Sequence, residues 1–242
     1  MNKFVGFIVL VLLMSLCPAC TRDNTDMAEK TTYEITELNY SEYDNTVNKD
    51  VSIVYPQVNG LPDKSIEEII CVNLKETAMD MLKSYSELND MKIEVTYSVT
   101  FASDKILSVH FVSSAFHSTQ AYPLIRSSSA NFLLETGDKL EINDILLIDE
   151  EFIKSFHEIF YLSRDYSGEE EKDLILNDIR STFDIEDIAN TRSDNFYTEI
   201  CSFLTKDSVV ISIEIRYASG SYALFEANYS DLAKFLKIDI QN

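Results

Sequence analysis

The sequence predicts an α+β protein in which antiparallel sheets carry amphipathic helices packed on one face. Lys92 to Phe101 alternates strictly between apolar and polar residues, which indicates a strand with one buried and one wet face. Val209 to Ile215 repeats this alternation late in the chain. Ser65 to Tyr85 places its apolar residues three and four apart, as an amphipathic helix does. Because each half-buried sheet needs a cover, we expect the helices to supply it.

Strands of the first half are predicted from short alternating or apolar runs bounded by turn residues. The polar stretch Ser41 to Asp50 is predicted to be a loop, and the strand that follows it is predicted to end at Pro56. The predicted strands of this half are Tyr33 to Asn39, Val51 to Tyr55, Lys92 to Phe101, Ile106 to Phe116 and Tyr122 to Leu134.

The second half is predicted to hold further helices and a second hairpin. The helices are Glu150 to Arg164, Glu171 to Phe183 and Ser230 to Leu236, and the strands are Phe196 to Leu204, Ser208 to Arg216 and Ala223 to Asn228. With the first half, these elements predict two α+β subdomains, at 33–140 and 141–242. A signal peptide at 1–20 and a flexible tether at 21–32 precede them.

The first twenty residues have the layout of a secretory signal. Lys3 supplies a positive start, and Phe4 to Leu16 is an apolar run shorter than the roughly 20 residues that a membrane-spanning helix needs. Cys20 follows the small residue Ala19, as in bacterial lipoprotein signals. We therefore expect lipidation of Cys20 and anchoring at the extracytoplasmic face of the cell membrane. An ordinary cleaved signal peptide is the alternative.

The charge of the chain bears on its partners. The formal net charge is −21, and removal of Lys3 with the signal leaves 19 basic against 41 acidic residues, a net charge of −22. Such a chain repels nucleic acid and anionic lipid headgroups, and it attracts cationic proteins. Solubility alone is the alternative reason for the charge.

Residue chemistry predicts no catalytic, metal or cofactor site. HExxH, GxSxG and Gly-rich phosphate-binding motifs do not occur, and the CxxC spacing of Cys17 and Cys20 lies within the predicted signal peptide. The three histidines have no further ligand near them in sequence. The run Ser127-Ser128-Ser129 lies within a strand pattern, where a nucleophile is not expected. Cys71 falls on a predicted helix and Cys201 on a predicted strand. We expect two buried thiols, with a disulfide as the alternative.

Several short motifs occur in a specific order across most of the chain. They are Val54-Tyr55-Pro56-Gln57-Val58-Asn59-Gly60, Ala121-Tyr122-Pro123, Asn131 to Leu140, Asn143-Asp144-Ile145-Leu146, Phe196-Tyr197 and Tyr217-Ala218-Ser219-Gly220. This order resembles the RsiV-like family of extracytoplasmic domains. Members of that family occur in a lysozyme-binding anti-sigma factor and ahead of the catalytic domain of a peptidoglycan deacetylase. The present sequence shows no counterpart of that catalytic domain.

The resemblance implies a non-catalytic extracytoplasmic module that binds or senses a ligand or protein, with a cationic protein such as lysozyme as the expected partner. Its candidate contact residues are aromatics of loops at motif positions of the family. They are Phe116, His117, Tyr122, Tyr217 and Tyr222, and Tyr122 stands where the family commonly has histidine. The alternatives are a structural cell-envelope lipoprotein, a small-molecule binder with a closed apolar pocket, and a cell-wall enzyme.

Overall fold

Two β-sheets with helices packed against them form the fold, which confirms the predicted α+β class. The computed structural model describes residues 31–85, 87–163, 173, 175–176, 200–215 and 221–240. The first sheet has the strand order β1-β2-β3-β4-β5, and the second has the order β6-β9-β8-β7. All pairs of neighbouring strands in both sheets are antiparallel except β2 and β3, which are parallel.

The first sheet is formed by the chain up to residue 133. Its strands are β1 at Glu34–Asp44, β2 at Lys49–Asn59, β3 at Met91–Ala102, β4 at Ile106–His117 and β5 at Leu124–Leu133. Between β2 and β3 the chain crosses over through helix α1 at Lys64–Asp80 and a 3₁₀ turn at Met81–Tyr85. A crossover of this kind is what joins parallel strands, and it explains the single parallel pair.

Helix α1 covers one face of the first sheet. Asp63 caps its start by accepting hydrogen bonds from the backbone N–H groups of Ser65 and Ile66. Its buried residues join alternate residues of the strands in the first core. This core includes Ile70, Leu74 and Ala78 of the helix and Ile53, Ile93, Val109 and Phe111 of the sheet.

The predicted loop at Ser41 to Asp50 is wrong. β1 continues to Asp44 and pairs with β2 through eleven consecutive residues, so the connection contains only residues 45–48. Nearly every side chain of β1 is exposed or half-buried. The predicted strand Tyr33 to Asn39 covers the first half of β1, and beyond Asn39 the strand has no apolar face whose alternation would indicate it.

β2 also runs past Pro56 to Asn59, beyond its predicted end. The N–H of Val58 donates to Cys71 Sγ at 3.4 Å, and its C=O accepts from the same sulfur at 3.3 Å. Both groups of Val58 therefore point away from β1. Because alternate residues of an antiparallel strand point the same way, the position of Pro56 also needs no N–H toward β1.

The second sheet comes from the rest of the chain, and its core also takes in Ile106 of β4. Its strands are β6 at Tyr161–Leu162, β7 at Ile200–Leu204, β8 at Ser208–Glu214 and β9 at Tyr222–Asn228. Helices α2 at Ile142–Ile145 and α3 at Glu150–Ile159 pack against it. Aliphatic side chains make up most of this second core, and a cluster of phenylalanine rings in stacked, tilted and edge-on contact joins them. The rings are those of Phe152, Phe156, Phe160, Phe225 and Phe235.

Two predicted helices of this half differ in outcome. The predicted helix at Ser230 to Leu236 is wrong, because the chain there forms turns in which Leu232 and Phe235 reach the second core. Of the predicted helix at Glu171 to Phe183, residues 173, 175 and 176 are helical, and the others lie outside the described residues. Ile175 is fully buried in the second core.

Cys71 and Cys201 are free thiols on helix α1 and strand β7, the kinds of element in which the sequence predicts them, and both residues are half-buried rather than buried. Burial raises the pKa of both. Neither sulfur therefore has the character of a reactive thiolate at neutral pH.

Candidate functional site

Exposed apolar and aromatic side chains collect at one end of the first sheet. β1 and β4 end here and β3 and β5 begin here, and the side chains belong to the last residues of β1 and β4 and to the loops before β3 and β5. We call this surface the strand-end patch and define it by Tyr43, Leu88, Phe116, His117 and Tyr122. Tyr122 is 70% exposed and Phe116 is 41% exposed, which makes both rings accessible to a partner. Three of the five predicted contact residues therefore lie at one end of the first sheet.

Asp90 holds the loops beneath the strand-end patch together. Its N–H donates to the C=O of Val47 at 2.8 Å, and its carboxylate accepts from the Asn48 side-chain amide and from Ser118 Oγ, the latter at 2.6 Å. Tyr43 Oη in turn donates to Asn48 Oδ1 at 3.0 Å. The Ser118 hydroxyl and the Asn48 amide hold the pKa of Asp90 below its ordinary value. These bonds connect three separate loops, so the patch rests on a fixed base.

His117 is oriented by this network. Its Nδ1 accepts the backbone N–H of Thr119 at 3.2 Å and lies 2.7 Å from the Thr119 hydroxyl. In the neutral imidazole the proton therefore sits on Nε2. That nitrogen lies 3.7 Å from Asp90 Oδ2. The ring thus presents its donor edge to the carboxylate and is held beside Phe116.

Carboxylates outnumber cations around the strand-end patch. Lys92 is already engaged, because its Nζ lies 2.7 Å from Glu94 Oε1. Exposed aromatic rings among carboxylates offer Lys and Arg side chains both ion pairing and cation–π contact. The acidic residues at this end of the sheet are Glu42, Asp44, Asp50, Glu87 and Asp90.

Tyr222 lies elsewhere, in a polar layer between the two sheets. Its ring stands edge-on to His110, with ring centroids 6.3 Å apart. His110 stacks on Phe203 of β7 at 4.3 Å, and its Nε2 lies 2.7 Å from Ser127 Oγ. Burial lowers the pKa of His110 to about 4, so the ring is neutral at physiological pH.

Serine and asparagine side chains of the first sheet complete the polar layer by bonding to the outer edge of β7. The N–H of Leu204 donates to Ser108 Oγ at 2.9 Å. The C=O of Ser202 accepts from Ser129 Oγ at 2.7 Å and from Asn131 Nδ2 at 2.8 Å. The layer therefore satisfies an edge strand whose backbone groups would otherwise be buried without partners. It joins the sheets rather than presenting a surface.

The predicted contact residues thus divide into two places. Phe116, His117 and Tyr122 share the strand-end patch, Tyr222 belongs to the polar layer, and Tyr217 lies outside the described residues. Cys20 also lies outside them. The sequence reading missed Asn48 and Asp90, which adopt the left-handed backbone conformation with φ of 50° and 54°. Asn and Asp tolerate that conformation best among residues with side chains, so turn chemistry was the available signal.

The described residues show neither a candidate metal cluster nor a membrane-spanning helix. They contain no group of three or more His, Cys, Asp or Glu side chains arranged to hold a metal ion. No helix among them has the length and apolar character needed to cross a membrane.

Comparisons with known proteins place structural neighbours in one family of unassigned function. A member of the DUF3298 family from Bacteroides fragilis NCTC 9343 is 11% identical over 84% of this chain and 92% of its own, with a TM-score of 0.48. A DUF3298 family protein from Pseudomonas aeruginosa PAO1 is 14% identical over 84% of this chain and 94% of its own, with a TM-score of 0.49. No family model matches this chain, and no curated protein matches it.

Proposed function

We propose that this protein is a non-catalytic binding module, held by lipid at Cys20 on the extracytoplasmic face of the membrane, whose partner is a cationic protein such as lysozyme. The observation that carries the proposal is the strand-end patch, where Phe116 at the end of β4 and Tyr122 in the loop after it stand exposed among carboxylates. Asp90 fixes that loop through Ser118. Exposed aromatics on a rigid base are typical anchors of protein interfaces.

The overall charge supports the choice of a basic partner. A net charge of −21 speeds the encounter with a cationic protein and disfavours acidic partners. The resemblance of the motif order to the RsiV-like family supports lysozyme in particular. A solubility role for the charge predicts attraction without a defined contact surface, and this difference makes the proposal testable.

Titration of the full-length chain in nonionic detergent with lysozyme tests the partner. We expect binding at low salt that weakens but persists at moderate salt, because contacts of the aromatic rings are not screened as charge attraction is. No binding at low salt would contradict the proposal. Binding that disappears completely at moderate salt would show charge attraction without a specific interface.

Tyr122→Ala tests the place of contact. Loss of an interface aromatic costs about 1–2 kcal/mol or more, so we expect lysozyme affinity to fall about tenfold or more. Tyr161→Ala is the matched control, because Tyr161 is also an exposed tyrosine, 48% accessible, but belongs to the second sheet. Equal effects of the two substitutions would exclude the strand-end patch as the contact surface.

Anchoring is tested by mass spectrometry of the protein isolated from membranes. We expect the mature chain to begin at Cys20 and to carry acyl chains, since stable anchoring needs more than one inserted chain. An unmodified N-terminus at another residue would refute the anchor and would favour an ordinary cleaved signal peptide.

A further inference from the structure

β1 is a long edge strand whose outer side has no partner within the described part of the chain. Its eleven residues pair with β2 alone, and the register is continuous, without a bulge. Edge strands are normally blunted by lysine, proline, bulges or a covering segment. β1 contains neither lysine nor proline. In the second sheet, by contrast, Ser108, Ser129 and Asn131 bond to the outer backbone groups of the edge strand β7.

The register shows which backbone groups of β1 face outward. Val58 directs its N–H and C=O toward Cys71 and therefore away from β1, and Val58 pairs with Ile35. In an antiparallel pair, the backbone N–H and C=O groups of two residues paired in this way point away from each other, and the same arrangement recurs at every second residue. The outward N–H and C=O groups of β1 thus belong to Ile35, Glu37, Asn39, Ser41 and Tyr43.

The side chains of β1 determine which charge a strand bound at its outer edge should carry. The strand carries four acidic residues and no basic one: Glu34, Glu37, Glu42 and Asp44. A second copy of this chain would bring four more carboxylates against these, which opposes pairing of β1 with itself. A strand with Lys or Arg would gain cross-strand ion pairs instead. Leu38 and Tyr43, 46% and 56% exposed, offer apolar contacts beside the charges.

We propose that the outer edge of β1 binds an extended, basic segment of a partner protein, which adds to the first sheet as a sixth strand. Backbone hydrogen bonds would hold the segment, and the carboxylates would select its charge, as in other cases of strand addition to a sheet edge. The edge also adjoins the strand-end patch, because Tyr43 is the next-to-last residue of β1, belongs to that patch and bonds to Asn48. The inference rests on the proposed function in taking the partner to be a cationic protein, and it adds the place and the geometry of contact.

The test uses the full-length chain and a peptide of about eight residues that alternates Lys and Val, a common strand length. The control peptide has the same sequence but is N-methylated at two adjacent central residues, so each of its edges loses a donor while its charge is unchanged. We expect the control to bind at least about tenfold more weakly, because backbone pairing is the main source of affinity in strand addition. Equal binding of the two peptides would overturn the proposal and leave charge attraction alone.

Residue-resolved amide hydrogen exchange locates the bound peptide. We expect slower exchange at the outward amides of Ile35, Glu37, Asn39, Ser41 and Tyr43 when the Lys–Val peptide is present. Unchanged exchange at these amides would overturn the proposal. Protection that is already present without peptide, and independent of concentration, would show that another segment of this chain covers the edge. Protection that grows with protein concentration would show pairing of two copies. Either result would overturn the proposal.

Asn39→Pro removes one outward donor without touching the bonds between β1 and β2. Proline is tolerated at such edge positions, so we expect the fold to persist and peptide affinity to fall about tenfold. Asn39→Ala keeps the N–H and is expected to bind as the unaltered chain does. If Asn39→Pro and Asn39→Ala bound lysozyme equally well, the outer edge of β1 would not be the contact for lysozyme, and the proposed function would still stand. If the titration showed no binding of lysozyme, the proposed function would be refuted. The peptide experiment would still decide whether the outer edge of β1 binds a basic strand.

Discussion

Asn131→Asp is expected to lower the free energy of unfolding by about 3–4 kcal/mol at neutral pH, which is the cost of leaving buried polar groups and a new charge without partners. Asn131 is 3% exposed and joins the two sheets. Its Oδ1 accepts from Ser108 Oγ at 2.7 Å, and its Nδ2 donates to the C=O of Ser202 and of Leu140. A carboxylate cannot donate, so two carbonyls would face negative oxygen across the layer.

Urea unfolding measured at several pH values tests this prediction. Burial raises the pKa of a carboxyl group, so the destabilisation of Asn131→Asp should shrink as the pH falls and the new group becomes protonated. Asn39→Asp is the control, because it makes the same chemical change at an exposed position and is expected to alter stability by less than about 0.5 kcal/mol. Equal effects at the two positions would show that the polar layer does not connect the sheets.

His110 is expected to make the protein less stable in acid. Its folded-state pKa of about 4 is below the ordinary value of 6.5, because burial opposes the charged form. Above pH 6.5 the ring is neutral in both the folded and the unfolded state, and the stability that its buried environment provides is fully present. As the pH falls from 6.5 to 4, the unfolded chain takes up a proton that the folded chain does not. This difference removes about 3 kcal/mol of stability by pH 4, with no further loss below it.

His110→Gln tests the assignment of that loss. The glutamine amide retains a polar group near Ser127 but does not titrate. We expect the variant to be less stable than the unaltered protein at pH 8, because it loses the stacking on Phe203. We expect the difference in free energy of unfolding between His110→Gln and the unaltered protein to narrow by about 3 kcal/mol between pH 6.5 and pH 4. Parallel stability profiles over this range would assign the acid sensitivity to other groups.

Part of the candidate site could be predicted from the sequence. Phe116, His117 and Tyr122 were selected as loop aromatics at motif positions, and the structure brings them to one end of the first sheet. Tyr222 was selected on the same ground but lies in the polar layer, with its ring beside His110. A sequence motif marks an aromatic residue near a strand end without telling whether another sheet lies over it. That difference separates a contact residue from a packing residue.

The part of strand β1 beyond Asn39 and the run Ser127-Ser128-Ser129 show why other features were not predictable. Beyond Asn39, β1 has no buried face, and periodicity records only the burial of faces. The serine run lies in a strand, as predicted, but Ser127 bonds to His110 and Ser129 bonds to the edge of β7. Those partners are 17 and 73 residues away along the chain. No local pattern encodes such a distance.

The sequence by itself determined the elements whose burial is periodic and the properties that depend on composition. Helix α1, strands β3 and β8 and the strong negative charge are of this kind, because each is written in residue spacing or residue counts. The tertiary structure alone decided the parallel pairing of β2 with β3, the satisfied edge of β7 and the open edge of β1. An edge is defined by what lies beside a strand, and backbone hydrogen bonds to a distant neighbour leave no mark on the side-chain pattern of the strand itself.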